Sequence, residues 1–463
     1  MTTLQSINPT TEEVLAEFEE DSPREVEAAL ESSIEAFRHW RNTSYQERSD
    51  VLLDLAKRLR LGSPVLAQLM TREMGKPIVE AEAEIEKCAW CCEYYAEHLE
   101  SFLRDQPKPT AAAESYVAFD PLGPVLAIMA WNFPFWQVFR FGVPALAAGN
   151  TILLKHASLV PQCSLAIAQL FAETGFPLGT LQSVFISGGR ASELIGDQRI
   201  AAISFVGSER AGASVAKRSG AALKKVVLEL GGSDPFIVLP DADLGAAVAT
   251  AVKARYQNAG QDCIAAKRFI VFDSIADEFI SRFTVAVEEL RVDDPCRRTT
   301  EIGPLAAGTV RAAIEDQVSR SIAAGATLVA GGRRMERRGY FYSPTLLTDV
   351  RPGMPVFDEE TFGPVAAISR AATVDEAICL ANHSAYGLGA AIWSQDVAAA
   401  RQLARRVESG MVFINGMVAS DPRLPFGGVK RSGYGRELGE FGIREFVNVK
   451  TIWVGPRRDE AVP

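Results

Sequence analysis

Four short stretches of this 463-residue chain hold side chains whose type and setting suit chemistry. In NAGQDC (258–263), Cys263 follows a small, flexible Asn-Ala-Gly-Gln run. Alone it reads as a packed thiol, since free cysteine is among the most buried residue types; activated, it is a nucleophile. In VVLELGG (226–232), Glu229 interrupts an apolar strand that ends in a glycine pair. Burying a carboxylate is costly unless it is paired or protonated, so Glu229 is either bonded to neighbouring backbone or a general base whose pKa burial raises. In WNFPFWQVFR (131–140), Asn132 ends a β-run, where a fixed amide can donate to a developing oxyanion; a turn-forming Asn is the commoner case. In FVGSERAG (205–212), a strand runs into Gly207 and Gly212 opens a helix, so backbone N–H groups can face a pyrophosphate. It is not the G-x-G-x-x-G fingerprint.

The elements that must position these residues follow from periodicity. Stretches such as REVEAALESSIEAFRHW and RSDVLLDLAKRLR have helical spacing, and helices dominate the first hundred residues. PKPT breaks that pattern near 107, and ESYVAFDPLG alternates like an exposed strand, predicting a hairpin arm. From 124 onward VLAIMAW, TILLKH, QSVFIS, AAISFVGS, KKVVLELGG and PFIVLP alternate with helical segments, the rhythm of parallel, doubly wound α/β sheets. A second βα series starts with RFIVFD, which places Cys263 near the junction of two α/β lobes.

Composition narrows the function classes. The chain is 48% hydrophobic and 23% charged, as in ordinary soluble proteins, and too long for one core. A net charge of −10 without a basic block argues against nucleic acid. The polar, acidic N-terminus lacks the pattern of a secretory signal, and apolar runs stop short of the ~18 residues a membrane span needs, so a cytoplasmic protein with no membrane partner is expected. Seven irregularly spaced cysteines predict no disulfide framework. Cys88, Cys91 and Cys92 fall on one helix face, where core packing is favoured over a redox or metal site.

Taken in order, WNFP, the lysine of LLKHAS, FVGS, ELGG, GQ-x-C, EETFGPV (359–365) and PFGGVKRSGYGRE (425–437) resemble the aldehyde dehydrogenase superfamily over nearly the whole chain. The nearest resemblance is to bacterial succinate-semialdehyde dehydrogenases. It implies an aldehyde dehydrogenase fold: a Rossmann-like cofactor-binding domain (1–106 and 123–228, with 417–440 returning to it), an α/β catalytic domain (229–416), and a small β oligomerisation arm (107–122 and 441–463). A homodimer or homotetramer is expected. The implied activity is NAD- or NADP-dependent oxidation of succinate semialdehyde to succinate through a Cys263 thiohemiacetal and thioester, with glutarate semialdehyde or an aliphatic aldehyde as alternative substrates. The thiolate needs a lowered pKa or a nearby positive charge such as the oxidised nicotinamide. Asn132 and the Cys263 N–H hold the oxyanion, and Glu229 activates the hydrolytic water. Glu229 also argues against a CoA-acylating enzyme, and the full set of residues against a silent relative.

By the same resemblance, Trp131 and Gly207 belong to the cofactor site, Lys155 holds the adenosine ribose, Ser208 a phosphate oxygen and Glu360 the nicotinamide ribose. Phe362 packs on the ring, and Gly212 opens the phosphate-facing helix. Ser158 stands where many NAD-preferring relatives carry a glutamate that repels a 2′-phosphate, so NADP is permitted. Arg140 and Ser420 match two residues that grip a substrate carboxylate in the succinate-semialdehyde enzymes. The second arginine of that grip is Gln257 here, with Arg255, Arg423 or Lys430 as candidate substitutes. Arg140 lies in apolar surroundings and requires a carboxylate partner, either a structural Asp or Glu or the substrate itself. A regulatory second cysteine two residues after the nucleophile is replaced by Ala265, so that disulfide switch is not expected.

Overall fold

The fold, a computed structural model, describes residues 3–455. Helices α1 (Pro23–Trp40) and α2 (Tyr45–Met74) each start on a reciprocal Ser–Glu capping box, Ser22 with Glu25 and Ser44 with Glu47. Two otherwise orphaned N–H groups are thereby satisfied at each helix start. Helix α2 ends at Gly75, which takes the left-handed conformation at φ 84° that glycine tolerates best. Helix α3 (Ile78–Leu103) packs along α2 and buries Cys88, Cys91 and Cys92 completely, so these thiols are core. Helices dominate from 23 to 103, but Thr3–Asn8 and Glu13–Glu19 form an antiparallel pair. The Asn8 side chain accepts from the Thr10 N–H (2.9 Å), an Asx turn that reverses the chain beside Pro9.

The first large sheet holds parallel strands β1 (Pro124–Ile128), β2 (Thr151–Lys155), β3 (Leu181–Ser183), β4 (Ala202–Val206) and β5 (Lys225–Glu229), in the order β5-β4-β1-β2-β3. Helix α4 (Trp136–Ala147) links β1 to β2, and α5 (Glu209–Ala221) links β4 to β5. The chain steps outward from β1 through β2 to β3, then returns to add β4 on the other side of β1. That reversal opens a crevice beyond the C-terminal ends of β1 and β4, where open α/β sheets bind ligands.

The second sheet carries β6 (Asp234–Val238), β7 (Ala266–Phe272), β8 (Thr327–Ala330), β9 (Thr345–Thr348), β10 (Val365–Ala371), β11 (Gly389–Trp393) and β12 (Met411–Ile414). Their order is β8-β9-β10-β7-β6-β11-β12, parallel except for the β8–β9 pair. Every residue of β4 and β7 is buried, as expected where helices cover both faces of a parallel sheet. Helix α6 (Leu244–Tyr256) crosses from β6 toward β7 and delivers the chain to residues 257–263. A two-residue strand, β13 (Gly433–Tyr434), pairs antiparallel with β5 and sets Gly433 opposite Glu229.

The expected local hairpin at 107–122 takes a different form. Glu114–Pro121 pairs along its length with the C-terminal strand Val447–Val454, and locally only with Gln106–Pro107. Of the expected 441–463 segment, residues up to Glu445 belong to a helix, Gly439–Glu445, packed against α3 and α4, and 456–463 lie outside the described residues. Among the described residues no helix is long and apolar enough to cross a membrane.

Candidate active site

After Tyr256 the backbone turns through three residues at positive φ: Asn258 (51°), Ala259 (54°) and Gly260 (71°). Side chains other than glycine rarely adopt that region, so the turn persists only where its surroundings fix it. Asn258 donates from its N–H to Glu80 (2.8 Å) and from Nδ2 to the carbonyls of Asn132 (2.8 Å) and Gln261 (3.1 Å). The Gln261 side chain accepts from the Ala306 N–H (2.9 Å). Arg255, fully buried, donates to the carbonyls of Thr361 (3.0 Å) and Gly363. A Cβ on Gly260 would stand 2.3 Å from the Gly363 oxygen. The run expected to be flexible is therefore buried and pinned on several sides. Lys267, which periodicity did not single out, completes the clamp: its Nζ donates to the carbonyls of Asp262 (2.9 Å) and Cys263 (2.7 Å) and lies 3.5 Å from Glu360.

Cys263 is partly exposed at the end of this turn, yet burial pushes its thiol well above the usual range; Asp262 adds to the rise, and Arg140 and Lys267 oppose it. The residues around it do not by themselves produce the lowered pKa expected of a thiolate. The Cys263 N–H donates to no described acceptor. Asn132, 3% exposed, gives one amide hydrogen to the Gln261 carbonyl (3.1 Å), while its Oδ1 accepts from Gln137 (3.2 Å). A second amide hydrogen remains, so two donors suited to an oxyanion belong to one locked segment.

Glu229, 2% exposed, ends β5, and neither of its oxygens has a hydrogen-bond partner, which removes the backbone-bonded alternative. Burial raises its pKa well above 4.5, Glu437 adds to the rise, and Arg140 and Arg436 oppose it. Because Glu229 is the last residue of a first-sheet strand, the junction between the two sheets falls at Gly231–Gly232.

Cys263, Gln257, Arg140 and Ser420 all line one cavity of about 760 Å3, together with Lys87 and Trp136. Glu229 and Asn132 are not part of that lining, but Asn132 bonds the lining residue Gln137 and the Glu229 charge acts on Arg140. Arg140, 2% exposed, forms an ion pair through Nε with Glu437 and lies 4.1 Å over the Phe426 ring. Its structural carboxylate partner is therefore Glu437, while its Nη2 is buried without any partner. None of the substitutes considered for Gln257 lines the cavity. Arg255 is spent on the nucleophile turn, exposed Arg423 pairs with Asp421 (2.6 Å), and exposed Lys430 pairs with Glu408 (2.6 Å). Gln257 itself donates to Asp262 (3.0 Å).

On the other side, the crevice of the first sheet collects Trp131 beyond β1, Lys155 and Ser158 at and beyond β2, and Gly207 and Ser208 beyond β4. Ser208 caps α5 by accepting from the Ala211 N–H, leaving the first N–H groups of a 13-residue helix facing the crevice. Gly212 is buried against Leu230, which a Cβ would meet at 2.4 Å. Lys155 is half-buried, has its pKa lowered by burial and donates to no described acceptor. Trp131 and Phe362 meet edge to face at 5.6 Å. Glu360 accepts from the Gly232 N–H (3.0 Å), and a Cβ on Gly231 would come within 2.3 Å of its carboxylate. An unpartnered cation, a helix N-terminus and an aromatic pair at a switch point fit a dinucleotide, with Lys155, Ser208, Glu360 and Phe362 as the residues that would hold it.

A turn clamped between two α/β sheets, with a cavity at Cys263 and a switch-point crevice in the first sheet that fits a dinucleotide, is the layout of a nicotinamide-dependent dehydrogenase. The match to the aldehyde dehydrogenase family spans residues 1–452, and the chain belongs to that family. A probable NADP-dependent succinate-semialdehyde dehydrogenase of Synechocystis sp. is 52% identical over 97% of this chain and 99% of its own length. The NAD(P)-dependent succinate semialdehyde dehydrogenase of Escherichia coli is 48% identical over 97% of each chain. The crystal structure of succinic semialdehyde dehydrogenase from Streptococcus pyogenes with NADP superposes at a TM-score of 0.96, with 38% identity, covering 98% of this chain and 100% of that one.

Because the nucleophile turn is set by contact rather than by sequence preference, Gly260→Ala is expected to destabilise the protein by about 1–3 kcal/mol. The loss should appear in urea unfolding together with faster iodoacetamide modification of Cys263. Wild-type stability and reactivity would show that the turn absorbs a side chain.

Proposed function

We propose that the protein oxidises succinate semialdehyde to succinate with NADP or NAD. The observation that carries this reading is the shared cavity: Cys263, Arg140 and Ser420 line the same space, so an aldehyde with a distal carboxylate spans reacting and anchoring groups at once. Cys263 attacks the carbonyl carbon, and the oxygen that becomes negative is met by the Cys263 N–H and the free hydrogen of Asn132 Nδ2. The nicotinamide, when bound, supplies the positive charge that favours the thiolate and accepts the hydride. Glu229, once deprotonated, takes a proton from the water that hydrolyses the resulting Cys263 thioester. The first-sheet lobe with the returning 417–440 segment acts as the cofactor domain, and the second sheet as the catalytic domain.

The small sheet of Glu114–Pro121 and Val447–Val454 serves a homodimer or homotetramer: Val449 and Trp453 on it are 61% and 58% exposed, an apolar surface for a second copy to cover. Seven unpaired cysteines support residence in the reducing cytoplasm.

Cys263→Ala should retain nucleotide binding in a fluorescence titration and lose NADPH formation by several orders of magnitude. Glu229→Gln should give a burst of NADPH followed by little steady-state turnover, because acylation proceeds and hydrolysis stalls. The raised pKa of Glu229 means that its base form accumulates only as pH climbs past that value, so the wild-type deacylation rate should rise with pH, and the rise should vanish in Glu229→Gln. Burst and steady-state rates falling together in Glu229→Gln would remove that residue from hydrolysis.

Ser158 is exposed beyond β2, three residues after Lys155, and carries no charge to oppose a 2′-phosphate. Ser158→Glu should raise KM for NADP far more than KM for NAD through charge repulsion. Equal changes would place Ser158 outside the adenosine pocket.

A further inference from the structure

Lys87 is the one cavity-lining cation near Ser420 that no sequence motif marked. It projects from the middle of α3, a helix whose neighbouring side chains Glu84 and Cys88 are core. Its Nζ donates to Ser420 Oγ (2.6 Å) and stands 4.5 Å from the centre of the Trp136 ring. No described carboxylate lies within ion-pairing distance of it, whereas Arg140 has Glu437 and Arg423 has Asp421. An ammonium group offers three donors, and only one is used.

Ser420 Oγ also accepts from Trp136 Nε1 (2.9 Å). A hydroxyl oxygen has two lone pairs, and Lys87 and Trp136 occupy both. The hydroxyl hydrogen must therefore donate elsewhere, yet no described acceptor takes it. Arg140 lines the same cavity, and its buried Nη2 has no partner. Lys87 and Ser420 thus carry unused donor hydrogens on a cavity whose acidic lining residues, Glu80, Glu84, Asp262 and Glu301, accept none of them, and leaving such donors unmet is costly.

We propose that Lys87, with the Ser420 hydroxyl it orients, binds the distal carboxylate of the substrate and sets the preference for carboxylated over uncharged aldehydes. The inference rests on the substrate reading given above and adds the residue that decides it. The neutral Gln257, already bonded to Asp262, supplies no charge, and Lys87 supplies it from a different helix. Burial also brings the Lys87 pKa down to about 8, with Asp262 and Glu84 favouring its charge and Arg140 opposing it. On the loop side Asp421 faces it. A lysine with a lowered pKa is protonated below that value, so anchoring is present at neutral pH and is lost as pH rises past about 8.

The test compares kcat/KM for succinate semialdehyde and for butanal, which has the same chain length without the charge, in wild type, Lys87→Met, Lys87→Arg and Ser420→Ala. Lys87→Met should lower kcat/KM for succinate semialdehyde by about tenfold to a hundredfold, the range for hydrogen bonds to charged groups, mainly through KM. Butanal should change far less, and Lys87→Arg should recover most of the loss. In the wild type the ratio of the two kcat/KM values should fall above pH 8, and in Lys87→Met it should be flat, which separates Lys87 from Glu229 and Cys263 because these act on both aldehydes. Equal losses on both aldehydes, or no loss on either, would assign Lys87 to packing. A wild type that does not prefer succinate semialdehyde to butanal would overturn the substrate reading itself, whereas a preference that survives in Lys87→Met overturns Lys87 alone.

Discussion

Asn258, Ala259 and Gly260 follow one another at positive φ, and this backbone constraint governs how the rest of the active site is arranged. Each non-glycine residue held there costs of order 1–3 kcal/mol, so the turn survives only because fixed partners offset the strain. Those partners come from distant parts of the chain: Glu80 on α3, Asn132 after β1, Ala306, and the Thr361 and Gly363 carbonyls before β10. The turn thus locks the helical N-terminal region, the first sheet and the second sheet to one another at Cys263. Lys267, rising from β7, then holds the Cys263 carbonyl, so Cys263 sits between a strand-borne cation and the cavity it lines.

Charge balance is the second organising constraint. Beneath the cavity Arg140 serves two buried carboxylates, Glu437 by direct contact and Glu229 at longer range. Arg140 and Arg436 do not offset the burial of two carboxylates, so burial, with the repulsion from Glu437, keeps Glu229 protonated above the ordinary carboxylate range. The same arrangement leaves the buried Nη2 of Arg140 without a partner. The ion pair with Glu437 does not use every donor of that side chain, so the two partners posed by its apolar sequence surroundings are not mutually exclusive.

Much of this was legible in the sequence because local signals and tertiary demands agree. The β-rich runs from 124 to 238 all form strands, since parallel strands covered on both faces must be continuously apolar and such runs stand out. Cys263 and Glu229 were visible as polar groups where strand or turn logic would not place them. The pair of strands within residues 3–19 was not legible, because its alternation is weak and its pairing is decided by an Asx turn and contact with α2. Lys87 was hidden for a different reason: within EAEAEIEKCAW it looks like the solvated face of a helix, and nothing local shows that α3 turns that face toward Ser420.

The sequence by itself marked the alternating strands and helices from 124 onward, the thiol and the carboxylate at unusual positions and the glycines at tight approaches, since these depend on residue type and on spacing within one element. Tertiary structure alone decided which side chains meet across elements. It paired Arg140 with Glu437 from 297 residues away, spent Arg255 on backbone carbonyls, and joined Lys87 to Ser420 across 333 residues. Such pairings depend on how helices and sheets pack in three dimensions, and a periodicity read along one element carries no record of the element that covers it.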